Sequence, residues 1–135
     1  MRKKLCLLML LLCAVLWAAC GKGAVDEVRR ATSSSTYYTQ EEISAAMDLA
    51  VASFAENFAG CALTDLWYDE EYSAAQAGEW SAQYQADQAI VLLSNFDVGP
   101  EGGDGSLAPD STYERWSWVL VRDEGEPWQL KTWGY

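Results

Sequence analysis

The sequence predicts one α+β domain over residues 39–135: a long N-terminal helix packed on a four-stranded, mainly antiparallel sheet that ends in a three-strand meander. Three observations predict it. Apolar residues recur at helical spacing from residue 43 to 58. Three strand-like segments close the chain, at 89–98, 116–122 and 127–135, the last two separated by a turn short enough for a hairpin. A helix with one apolar stripe must lay that stripe on the sheet, which makes two layers. The 97 residues of this region suffice for one hydrophobic core.

The helix spans about 40–59. Thr39 and Glu42 stand three apart, the spacing of a capping box, and Glu41 and Glu42 suit the positive end of the helix dipole. Ile43, Met47, Ala50, Val51, Phe54 and Phe58 form the stripe, and Gly60 is the expected left-handed stop. Residues 61–68 (CALTDLWY) read as a strand with imperfect alternation, ended by Asp69-Glu70-Glu71. Residues 72–87 read as a loop with a short helix, where Trp80 and Tyr84 share a face. Residues 89–98 (AIVLLSNFDV) are apolar on both faces at first, so this strand belongs in the middle of the sheet. A long segment rich in Gly, Pro, Asp and Ser follows at 99–112, and loops of that length are uncommon unless functional or mobile. Asp123-Glu124-Gly125-Glu126 turns the chain between the last two strands.

Ahead of the domain stands an export signal. Arg2, Lys3 and Lys4 precede an uncharged apolar run from residue 5 to 19. Its 15 residues fall short of the roughly 20 that a spanning helix needs. The run ends in Ala18-Ala19-Cys20-Gly21, small residues leading into a cysteine. The expectation is a lipoprotein signal peptide over 1–19, cut before a lipidated Cys20. Trp17 departs from this pattern, which has Leu three residues before the cysteine; Cys13 fits worse, because Leu12 precedes it. Residues 20–38 lack a sustained period and carry a Ser/Thr cluster, and so read as the lipid attachment and a flexible tether.

Removal of 1–19 changes the composition. The full chain carries −11; the remainder has six basic residues against 20 acidic ones, or −14. Such a surface repels phosphate backbones, which excludes nucleic-acid binding. Cys6 and Cys13 leave with the signal and Cys20 takes lipid, so Cys61 is left without a partner for a disulfide. Core packing is its expected role.

The chain has no histidine. Ser-His-Asp triads, Cys-His pairs and His-based zinc sites are therefore excluded, and one thiol cannot make a thiolate zinc site. The Gly102–Ser106 stretch lacks the lysine of a phosphate-binding loop. Asp97, Glu101, Asp104 and Asp110 could offer oxygens to calcium, although Pro100 and Gly102 break the EF-hand register; the alternative is Asp side chains bonding their own turns. Asp65 and the Asp69-Glu70-Glu71 run at the strand's end are the carboxylates considered for acid–base work, beside those of the loop; Asp65, which interrupts an apolar strand, leads if it is buried in a pocket beneath the helix. Trp116 and Trp118 share a strand face, with Trp128, Trp133 and Tyr135 on the neighbouring strand. Exposed aromatics there would make a platform for sugars or peptides; buried ones make core, the role expected of Trp118. Arg122, one of few bases, is placed to pair with an acid across the sheet.

The strand at 89–97, the Gly102–Leu107 loop with Pro109 and Ser111-Thr112-Tyr113, the WSWVLVR segment at 116–122 and the final Trp133-Gly134-Tyr135 carry a resemblance. With Glu56-Asn57-Phe58 and Gly60-Cys61, they resemble an uncharacterised domain family of Firmicutes, lipid-anchored or membrane-tethered, over about 39–135. That resemblance implies a cystatin-like layout, similar to nuclear-transport-factor-2-like folds, and brings no catalytic residue with it.

The expectation for function is thus an exported, membrane-anchored lipoprotein on the extracytoplasmic face, with a non-enzymatic binding or accessory role. The alternatives are a small pocket hydrolase or isomerase using a carboxylate, and a calcium-dependent surface protein. Candidate binding residues are Trp116, Trp133, Asp104 and Asp65. No catalytic residue, metal ligand set or cofactor is assigned. Expected partners are the membrane, through the anchor, and a cell-envelope ligand or protein.

Overall fold

The computed structural model describes residues 22–135. The signal segment 1–19 and Cys20 lie outside the described residues. Seven elements follow in order: β1 (Arg29–Thr32), α1 (Gln40–Asn57), β2 (Cys61–Tyr68), α2 (Glu70–Gln83), β3 (Gln88–Val98), β4 (Thr112–Arg122) and β5 (Gln129–Gly134). The sheet has five strands in the order β1-β2-β3-β4-β5. Only the β1–β2 pair is parallel; the rest are antiparallel, with β3-β4-β5 as the expected meander. No helix of the described residues is long and apolar enough to cross a membrane.

The α1 helix forms as its sequence dictates. The Glu42 N–H donates to the Thr39 hydroxyl and the Thr39 N–H to the Glu42 carboxylate, closing the capping box. Ile43, Ala46, Met47, Ala50 and Phe54 are buried on the sheet. The helix stops at Asn57, two residues before the expected end, because Phe58 already leaves helical geometry and Gly60 takes a positive φ of 77°. In β2 a bulge between Leu63 and Asp65 turns the intervening residue out of register, which is why its alternation looks imperfect.

Three expectations need correction. The sheet has five strands, not four, because the segment expected to be a tether belongs to the fold. The Ala24 N–H donates to the Cys61 carbonyl, the Leu63 N–H donates to that of Ala24, and Arg29–Thr32 pair with Asp65–Tyr68. Val25 and Val28 pack against the core. Second, the short helix expected within 72–87 is a 14-residue helix that starts earlier. Asp69 is its N-cap, accepting from the Tyr72 N–H, and Glu70 and Glu71 fill its first turn. Third, the arrangement exceeds two layers. Ile90, Leu92, Phe96, Trp118 and Leu120 pack on the α1 side. Their neighbours Ala89, Val91, Leu93, Val119 and Val121 are equally buried and point to the other face by alternation. There α2 lies, with Tyr72 beneath Arg115 of β4 and Tyr84 beneath Lys131 of β5. A central strand apolar on both faces needs cover on both.

Because β2 ends early, part of the β3 edge has no strand beside it. Side chains replace the missing ladder: the Val91 N–H donates to the Ser73 hydroxyl, and the Tyr38 hydroxyl donates to the Ala89 carbonyl.

Candidate functional site

One end of the molecule collects most of the residues singled out in the sequence. The last turn of α1, the start of β2, the Gly99–Ser111 loop, the start of β4 and the end of β5 all meet there. Between them lies an open cleft of about 320 Å³. Asn57, Phe58, Cys61, Asp104, Trp116 and Trp133 are among its walls. Three of the four candidate binding residues therefore share one cleft.

The loop that forms one wall is built, not slack. The Gly99 N–H donates to the Gly60 carbonyl and the Val98 N–H to that of Ser111, closing its base. Inside, the Gly102 carbonyl accepts from Gly105 and Leu107. Asp104 accepts from the backbone N–H of Ser106 at 2.9 Å and from its hydroxyl at 2.5 Å. Those two bonds, the hydroxyl's foremost, hold the Asp104 carboxyl below its ordinary value, so it is an anion at neutral pH. This is an aspartate bonding its own turn. Among the described residues, no group of three or more His, Cys, Asp or Glu is gathered to hold a metal ion.

The aromatic wall divides by hydrogen bonding. Trp118 is fully buried, and its indole N–H donates to Ser94 at 2.8 Å. Trp116, two residues back on the same face, lies edge-on to Phe58, Phe96, Tyr113 and Tyr135. Its indole N–H is buried with no hydrogen-bond partner among the described residues. Such an orphan costs about 1–3 kcal/mol unless a ligand or water satisfies it. Trp133 is 39% exposed and packs against Trp118 and Phe58. Trp118 is thus core, while Trp116 and Trp133 present faces and edges to the cleft. Cys61 sits in the floor, where burial foremost and then the Asp104 charge push its thiol above its ordinary value.

Asp65 lies elsewhere. It pairs with Asn95 across β2 and β3, and alternation from Leu66 and Ser94 puts it on the face opposite α1. Burial works to raise its carboxyl, but the Thr64 hydroxyl, the Arg29 guanidinium at 2.9 Å and the Asn95 amide outweigh it and hold it below its ordinary value. It is not the acid of a pocket beneath the helix. Arg122 finds its acid on α1: it binds Glu42 at 2.8 Å and Gln88 across the sheet at 2.7 Å, lying 4.2 Å from the Trp128 ring. Sequence reading missed Asn57 and Phe58 as cleft walls; their place just before a helix-stopping glycine was the available signal. Compared with protein-family models, with curated proteins and with solved structures, the chain finds no match.

Proposed function

We propose that the chain is an exported lipoprotein, anchored through Cys20 on the extracytoplasmic face, whose domain binds a small polar ligand of the cell envelope without chemistry upon it. The cystatin-like layout belongs to this proposal: α1 crossing the antiparallel β2–β5 part of the sheet is its basis. The observation that carries the binding reading is the convergence of Trp116, Trp133 and Asp104 on one cleft, with the buried Trp116 indole N–H lacking a partner among the described residues. Aromatic side chains beside one fixed anion suit a neutral hydroxyl-bearing ring such as a sugar. With no histidine in the chain and the Cys61 thiol raised, Asp104 is the one ionised group lining the cleft, and it is engaged by the Ser106 N–H and hydroxyl of its own turn.

Two measurements test it. The intact mass of the protein taken from membranes should equal a chain beginning at Cys20 plus acyl groups; a full-length, unmodified chain overturns the anchor. For the cleft, a soluble Cys20→Ser chain beginning at residue 20 should be titrated with an N-acetylglucosamine tetramer while indole N–H signals are followed by NMR. Trp116 and Trp133 should shift together while Trp80 stays fixed, and Asp104→Ala should weaken binding several-fold. Indole signals that stay still to saturation of the probe's solubility overturn sugar binding.

A further inference from the structure

The docked N-terminal segment has a geometric consequence for the membrane, and it rests on the proposed lipid attachment at Cys20. The fold holds the chain from Gly23 onward. The Gly23 N–H donates to the Ala55 carbonyl at 2.9 Å. A Cβ at Gly23 would stand 2.5 Å from the Phe54 carbonyl oxygen and 2.9 Å from that of Phe58, so the backbone is pressed against the last turn of α1. From Cys20 to Gly23 is three residue steps, a reach of at most about 11 Å. The polar layer on each side of a bilayer is itself roughly 5–8 Å thick. An acylated Cys20 would therefore hold the last turn of α1 against the membrane surface.

That turn belongs to the cleft end of the molecule. Beside it stand the Gly99–Ser111 loop and the aromatic rim, where Tyr135 is 81% exposed and its ring contacts Tyr113 and Trp116. Exposed Trp and Tyr rings favour the headgroup layer, apolar body inward and polar edge in water. The same end carries Glu56 in the last turn of α1, Glu101, Asp104 and Asp110 in the loop and Glu114 at the start of β4, against Arg115 beside it and Lys22 just ahead of Gly23. Its charge disfavours an anionic surface and accepts a neutral one.

We propose that the domain lies on its own membrane with the cleft end down, Trp133 and Tyr135 among the headgroups, on bilayer regions of neutral surface. Ligand then meets the cleft at headgroup level.

The test uses the acylated chain in phosphatidylcholine vesicles whose acyl chains are brominated near the headgroup. Tryptophan emission should fall relative to unbrominated vesicles, and Trp133→Phe should remove most of that loss. Inserting twelve Gly/Ser residues between Gly21 and Lys22 should abolish it without releasing the protein, because such a linker gives about 20 Å of root-mean-square slack. Replacing a fifth of the lipid with phosphatidylglycerol at low salt should also reduce it. Vesicle-bound, acylated protein whose emission is unquenched, or whose quenching survives the insertion, overturns this inference alone. A chain found unacylated at Cys20 overturns the inference and the anchor together.

Discussion

Ser94 separates the two tryptophans of β4 into different roles. Its hydroxyl accepts from the Trp118 indole at 2.8 Å and donates to the Trp116 carbonyl at 3.0 Å, in a site with no exposure to solvent. Ser94→Ala removes little volume but strands a donor and an acceptor in the core. The expected cost is about 1–3 kcal/mol. It should appear as a lower urea midpoint at unchanged m; a midpoint like the wild type's would mean that the bonds contribute nothing net. Period-two alternation placed Trp116 and Trp118 on one face from sequence alone. Which indole would find a partner was not legible, because that partner lies 24 residues away on the neighbouring strand. The same holds for Asp65, whose partner Arg29 comes from a segment with no strand signature of its own.

At the scale of elements, local signals decided what could be read. The α1 helix carries its cap, stripe and stop within its own sequence, and all three appear in the structure. The α2 helix carries a cap as well, but Asp69-Glu70-Glu71 serves equally as the end of a strand, and sequence reading took that sense. The β1 strand has four exposed residues with no alternation. Only its parallel pairing with β2, across the whole of α1, makes it a strand. One residue ties α1 to the far end of the sheet. Glu42 closes the capping box and binds Arg122, and the Thr39 N–H foremost, then Arg122, hold its carboxyl below its ordinary value of 4.5. A carboxyl depressed on folding adds stability that is complete above its unfolded value and is lost as pH falls through the folded one. Glu42→Gln should therefore be less stable than wild type at pH 7, by about 1 kcal/mol, given a charge-assisted bond at a partly exposed side chain. The gap should narrow at pH 3, where the carboxyl begins to lose its charge. Urea midpoints at both pH values check this, and a gap that stays constant removes the charge from the explanation.

At the scale of the molecule, charge is the dominant imbalance. The part after residue 19 carries −14, and only three ion pairs offset it among the described residues, two of them well exposed. Repulsion among like charges should outweigh what those pairs contribute. Raising NaCl from about 50 to 500 mM, which shortens the screening length from roughly 14 to 4 Å, should thus raise Tm at pH 7. A Tm that falls with salt would mean that the pairs dominate. The cleft itself was legible only in pieces. Trp116, Trp133 and Asp104 each stood out by residue type, yet they belong to two strands and a loop. What unites them is the sheet register and the hydrogen-bonded base of the loop, and neither leaves a local trace in sequence.

Should Cys20 carry the lipid proposed above, the docking of Gly23 also bears on how long the protein stays on its membrane. A lipoprotein on a loose stalk is open to shedding, since any passing protease can cut the stalk and release a working domain. Here residues 23–32 are threaded into the sheet and against α1. Under that proposal, a cleavage that sheds the domain whole has only the three peptide bonds between Cys20 and Gly23 to act on. A cut further along leaves part of the sheet behind on the anchor, so what escapes is a damaged fold.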